Sequence, residues 1–209
     1  MVLKKKKNSS SGFTLIELMI AMAITGIITA AIYSVFQAQT KGQRVQDISL
    51  QMTQSVRAAM EIIASDIRMA GCDPTEEADA EIQLANPSEI RMTMDTGDGA
   101  GGEPDEDVND PNEDVRYCID ANMLCRDLDD GDGPQPLHPV DVECDTLNFV
   151  YLAADDTNSP ADPDNEMDVL SGAIDTDEIK AVQVNIRVHW AAEPERWFGL
   201  SNTIDCRNL

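Results

Sequence analysis

Several residue types are scarce in this chain of 209 residues, and each scarcity excludes something. Basic residues number 15 against 39 acidic ones, giving a formal net charge of -24. A surface this acidic repels phosphates, so no nucleic-acid partner is expected. Histidine occurs only at His138 and His189. Neither stands in an HExxH pair, and there is no GxSxG elbow and no phosphate-cradling loop. No catalytic residue is assigned, and no enzymatic activity is expected. His138 sits among prolines and His189 closes a strand-like run, so both read as structural. Aromatic residues make up 4% of the chain, which calls for a mostly aliphatic core; Trp190 and Trp197 read as packing residues. The five cysteines include no CxxC and none beside a histidine, so a zinc site or attached haem has no support.

What is present is concentrated at the N-terminus. Lys4 to Lys7 form a basic block, Asn8 to Gly12 a short polar run, and Phe13 to about Phe36 an apolar run whose one charge is Glu17. About 20 apolar residues suffice to cross the hydrocarbon core, and the positive-inside rule keeps the lysines cytoplasmic. A cleaved secretory signal has a shorter apolar region with its cleavage site behind it. Here the polar linker stands in front, so a cut after Gly12 would remove the lysines and keep the helix. It would also deepen the negative charge by four units. A carboxylate inside a membrane helix costs about 2.5–3.5 kcal/mol on insertion scales and needs a partner or a function. The apolar run supplies no cation. Cleavage supplies one, the Phe13 amine, four residues away on the same chain or on a neighbouring one. The blander alternative is a plain signal anchor with a glutamate near its end.

Residues 12–26, GFTLIELMIAMAITG, resemble the prepilin signature of type IV pilins and type II secretion pseudopilins. The resemblance implies cleavage between Gly12 and Phe13 by prepilin peptidase, N-methylation of Phe13, and subunit docking through Glu17 and Phe13. It implies insertion in the inner membrane with the N-terminus cytoplasmic, then passage into a pilus or pseudopilus. The partners it implies are other major and minor pilins and the inner-membrane assembly machinery.

Beyond Phe36 the helical pattern continues. Val45, Ile48, Met52, Val56, Ala59, Ile63 and Ile67 recur at spacings of three and four, one face of an amphipathic helix. Polar residues, Asp66 among them, fall between. Gly71 and Pro74 close the pattern. A single helix from Phe13 to Ala70 would be roughly 87 Å long, with Gly26 and Gly42 as weak points. The stripe over residues 45–70 reads as core packing.

After Pro74 the period shortens to that of strands. Ile82–Ala85 and Glu89–Met94 flank the turn Asn86-Pro87-Ser88. Val115–Asp120 and Met123–Asp127 flank Ala121-Asn122. Val140–Glu143 and Thr146–Leu152 follow. Ile179–Trp190 alternates cleanly, with Val182, Val184, Ile186 and Val188 on one face, and Ser201–Leu209 is a candidate final strand. The expectation is an α+β fold, with a long N-terminal helix, its first half membrane-spanning, packed against a C-terminal antiparallel β-sheet with long acidic loops. The expected divisions are a leader over 1–12, a helix over 13–70 and an extracytoplasmic β-rich domain over 71–209.

The outer half refines the resemblance. The helix end Met69 to Pro74, the hairpin Arg116-Tyr117 to Leu124-Cys125-Arg126, the strand Leu147 to Tyr151 and the terminal Arg207-Asn208-Leu209 are similar to minor pilins of the PilW type. These imply a role in priming filament assembly at the tip. A type II secretion minor pseudopilin remains an alternative, as does a tip-displayed module that binds calcium or a surface.

Three loops are rich in acid, glycine and proline: Asp95–Asp114, Asp127–Pro136 and Asp155–Asp168. Asp105 to Asn109 and Asp162 to Asp168 have alternating oxygen ligands. Neither run has the glycine or the final glutamate of an EF-hand loop. No cofactor is assigned and no metal-binding residue named; calcium stays open beside a solvated acidic loop. In an oxidising compartment disulfides are the expected use of cysteine. If Ala121-Asn122 is a two-residue turn, Cys118 and Cys125 face each other across the hairpin, at a spacing a disulfide can span. Cys144 and Cys206 would join two other strands. Buried free thiols are the alternative.

Overall fold

A computed structural model describes residues 12–97, 104, 106–108, 110, 112–128, 131–153, 168–170 and 174–208. The lysine block, the loop from Asp155 to Met167, Asp105, Asn109 and Leu209 lie outside the described residues. The chain divides into two compact units, one through Asp47 and one from Ile48 onward. The second unit, called the outer unit below, begins inside the helix at Ile48.

One α-helix, α1, runs from Leu15 to Met69. It passes through Gly26 and Gly42 without a break. It ends where expected, at Gly71, whose φ of 72° is open to glycine at little cost. The predicted stripe is the buried one: Ile48, Met52, Val56, Ala59, Ile63 and Ile67 are all in the core, joined by Met60 and Ala64.

The outer unit carries two antiparallel sheets, where one was expected. The first is a five-stranded meander in chain order: β1 (Ile82–Asn86), β2 (Glu89–Thr93), β3 (Asp114–Asp120), β4 (Met123–Asp127) and β5 (Gln135–Pro136). The second is ordered β7-β6-β8-β9, built from β6 (Val142–Ala153), β7 (Asp168–Val169), β8 (Ile179–Trp190) and β9 (Glu193–Asp205). The two runs expected around Cys144-Asp145 are one strand, β6. A bulge between Cys144 and Thr146 absorbs the break in alternation. The final strand starts at Glu193, not Ser201, and stops before Cys206. Glu193 pairs with Trp190, and the ladder resumes at Trp197, opposite His189. Pro194 falls in the unpaired stretch of an edge strand, where its missing N–H costs nothing. The β3–β4 turn is Ala121-Asn122, both with positive φ (46° and 64°), as a tight hairpin turn requires.

Helix and sheets share one apolar cluster. Val182, Val184, Ile186 and Val188 of β8 point into it, with Ile90 and Met92 of β2, Phe149 and Tyr151 of β6 and the helix stripe. The sheets are tied through the two hairpin turns. Phe149 N–H donates to the Pro87 carbonyl at 2.8 Å, and Cys144 N–H to the Asn122 carbonyl at 2.7 Å. His138 is structural: its Nε2 accepts the Leu124 N–H at 3.0 Å, which leaves the Nδ1 proton for the Pro139 carbonyl at 3.1 Å. His189 lies between Glu143 and Asp145 of β6. Trp197 departs from its expected packing role. It is 59% exposed, with the Arg187 guanidinium 4.7 Å from its ring centre.

One acidic loop has a buried anchor. Glu113 is fully buried, and its Oε1 accepts the N–H groups of Thr96 (2.7 Å) and Gly97 (2.8 Å). Its Oε2 accepts that of Asp110 at 3.3 Å. Glu113→Ala strands these donors and should cost about 2–3 kcal/mol in a urea melt, whereas Glu113→Gln, keeping one acceptor oxygen, should cost less than half of that.

Candidate functional site

The start of α1 gathers the residues singled out from the sequence. Thr14 is its N-cap, and the segment Thr14-Leu15-Ile16-Glu17 closes a capping box. Thr14 N–H and Thr14 Oγ1–H each donate to Glu17 Oε2 at 2.9 Å, and Glu17 N–H donates back to Thr14 Oγ1 at 3.3 Å. Thr14 escaped the sequence reading although the pattern that reveals it, threonine followed three residues later by glutamate, is visible there. The box changes the problem Glu17 poses. Its hydrogen bonding is met in part by its own chain, while its charge has no cation among the described residues.

Phe13 stands directly before this cap, 88% exposed. Gly12 precedes it, and a Cβ there would meet nothing within 4 Å. Nothing inside the folded chain therefore demands glycine at that position. The same holds at Gly26, in mid-helix, where glycine costs about 1 kcal/mol against alanine.

Among its described residues the first unit has no core of its own. Leu15, Ile16, Leu18, Met19, Ile20, Met22 and the apolar residues on to Phe36 are exposed all round the helix. This helix is long and apolar enough to cross a membrane. Its aliphatic hydroxyls bond back to the helix: Thr25, Thr29, Ser34 and Thr40 donate to the carbonyls of Ala21, Thr25, Ala31 and Phe36 at 2.8–2.9 Å, and the Tyr33 hydroxyl accepts from Gln37 Nε2 at 2.6 Å. A helix whose polar groups bond to itself can sit in hydrocarbon without orphaned donors.

The cysteines fall into two groups. Cys118 lies opposite Cys125 in the β3–β4 ladder. Cys144 lies at the same hairpin, its N–H on the Asn122 carbonyl at 2.7 Å, and burial pushes its thiol up to about 11. Cys206 is elsewhere. Cys144 is opposite Val188, whereas Cys206 N–H bonds to the Lys180 carbonyl at the other end of β8. Eight residues of strand separate these points, roughly 26 Å at about 3.3 Å per residue, far beyond the span of a disulfide. The expected Cys144–Cys206 pairing is thus overturned, because β8 holds its ends apart. All five cysteines are thiols in this structure.

Among the described residues, no three His, Cys, Asp or Glu side chains converge as a metal site. Asp105, Asn109 and the run from Asp162 to Met167, parts of the two candidate calcium loops, lie outside the described residues.

The family model for the prokaryotic N-terminal methylation motif matches residues 7–33, the capped helix start with Lys7 and the polar residues before it. This match supports a type IV pilin-like protein; it leaves the β-rich unit unassigned. No curated protein and no solved structure matches the chain.

Proposed function

We propose that this chain is a minor pilin, cut by prepilin peptidase between Gly12 and Phe13, methylated on the new Phe13 amine and built into a type IV pilus through Glu17. The observation that carries this reading is the bare apolar rod over Leu15–Phe36, headed by one acid and matched by the methylation motif. Such a rod requires a covering of lipid before assembly and of neighbouring helices after it. The glycine at position 12, without a reason inside the fold, has one if the segment must enter a peptidase in extended form. Cleavage would place an ammonium one residue ahead of the capping box, next to the carboxylate that lacks a cation.

Within that reading, a PilW-type subunit that helps initiate the filament is favoured by the outer unit. The resembling segments are the end of α1, the β3–β4 hairpin and the middle of β6, three elements that meet in one core. The protein would sit in the inner membrane with its lysines in the cytoplasm and its sheets outside. Its partners would be prepilin peptidase, the assembly machinery and other pilins.

Mass spectrometry of the protein from its native membrane tests the processing step. The expected N-terminal peptide begins at Phe13 and carries one methyl group. A chain retaining Lys4–Lys7, or one cut behind the apolar run, would end the proposal. Gly12→Leu should leave the leader in place while membrane insertion proceeds.

A further inference from the structure

The last residues of the chain return to the end of α1. Cys206 N–H donates to the Lys180 carbonyl at 2.9 Å, and Asn208 Nδ2 donates to the carbonyl of Arg68, in the final turn of the helix, at 3.2 Å. Cys206 is buried in the apolar cluster, continuing the inward alternation from Ile204. Cys72 follows the helix stop and packs against the same cluster. Its backbone is held on both sides: Cys72 N–H donates to the Met69 carbonyl at 2.9 Å, and its carbonyl accepts Asp95 N–H at 2.7 Å. The Asn208–Arg68 bond docks the tail on the last turn of α1, at a point two residues past Cys206 and four before Cys72. The other three cysteines are gathered around the β3–β4 turn at the far end of β8.

We propose that Cys72 and Cys206 form a disulfide that fastens the C-terminal tail to the end of α1. The bridge rests on the proposed export only for its formation in the cell, since it needs an oxidising compartment. Two S–H bonds break and one S–S bond forms. The two electrons and two protons pass to the disulfide of an oxidant, a thiol oxidoreductase or glutathione disulfide, which leaves as two thiols. Burial pushes the Cys206 thiol up to about 11, so the exchange proceeds while the tail is docking, before the sulfur is enclosed. The loop closed in this way takes in both sheets, so the constraint on the unfolded chain is large.

Peptide mapping of the full-length protein in detergent, alkylated without reduction, tests the bridge in two samples. One is taken from cells quenched with alkylating agent; the other is purified protein, reduced and unfolded in denaturant, then refolded into detergent with glutathione disulfide and alkylated in denaturant. A Cys72 peptide linked to a Cys206 peptide is expected in both. Linkage in the oxidised sample with free thiols in the cellular one would keep the bridge and sink the export reading. Cys206 alkylated, or linked to another cysteine, in the oxidised sample overturns the bridge. Cys72→Ser and Cys206→Ser should each lower Tm by on the order of 10 °C, and the double variant should lose no more than either one. Additive losses would mean two independent packing thiols, which also overturns it.

Discussion

If the chain assembles as proposed, Glu17→Gln is expected to lower pilus-incorporated protein tenfold or more, as far as Glu17→Ala does, with membrane insertion intact. The comparison separates two roles the structure superimposes. Glu17 closes a capping box with Thr14, and glutamine at that helix position can close the same box. If capping were its task, the glutamine variant would assemble normally and only the alanine variant would fray the helix start. If its task is to meet the Phe13 amine, the charge is indispensable, and an amide at the same place does nothing for it. Insertion should become slightly easier in both variants, because the acid carries a cost of about 2.5–3.5 kcal/mol in the bilayer. Immunoblots of sheared filaments against membrane fractions read both quantities. Wild-type filament incorporation by the glutamine variant would remove the docking role.

The second large effect lies in the outer unit. Asp66, on the last turns of α1, accepts the Tyr117 hydroxyl at 2.5 Å and the Arg126 Nε at 2.9 Å, both on Oδ2. Tyr117 and Arg126 face each other across the β3–β4 ladder, so one carboxylate clamps a hairpin to the helix. Tyr117 is fully buried, and burial, followed by the neighbouring Asp66 charge, pushes its hydroxyl well above the ordinary tyrosine range. It stays a neutral donor at any working pH. Asp66→Ala leaves a guanidinium and a hydroxyl without their acceptor and is expected to cost about 3–5 kcal/mol. For a chain of this size that is roughly 6–20 °C in Tm. Tyr117→Phe removes one neutral donor from a carboxylate that keeps Arg126, and should cost about 1–2 kcal/mol. Thermal melts of the detergent-solubilised protein, followed in the near-ultraviolet, measure both. An alanine variant within a degree or two of wild type would show that the clamp is decorative.

Asp66 also shows where reading the sequence stops. It sits one position from the buried stripe and reads as a solvent-facing residue, since spacing along a helix says which side a residue is on but not what approaches that side. The approach is made by Arg126, 60 residues away. The same limit explains Trp197, whose exposure follows from its place on the outer face of an edge strand.

What the sequence determined alone is whatever depends on neighbours a few residues away. The apolar run, the acid four residues from Phe13, the 48–67 stripe, the hairpin turn at Ala121-Asn122 and the alternation of β8 are all local patterns. The structure repeats each of them almost residue for residue. What only the tertiary structure decided is how distant strands pair. Two sheets in place of one, the single strand β6 through its bulge, and the parting of Cys144 from Cys206 by the length of β8 all rest on long-range registers. A strand's period tells which face is buried, and it is silent about which other strand lies beside it.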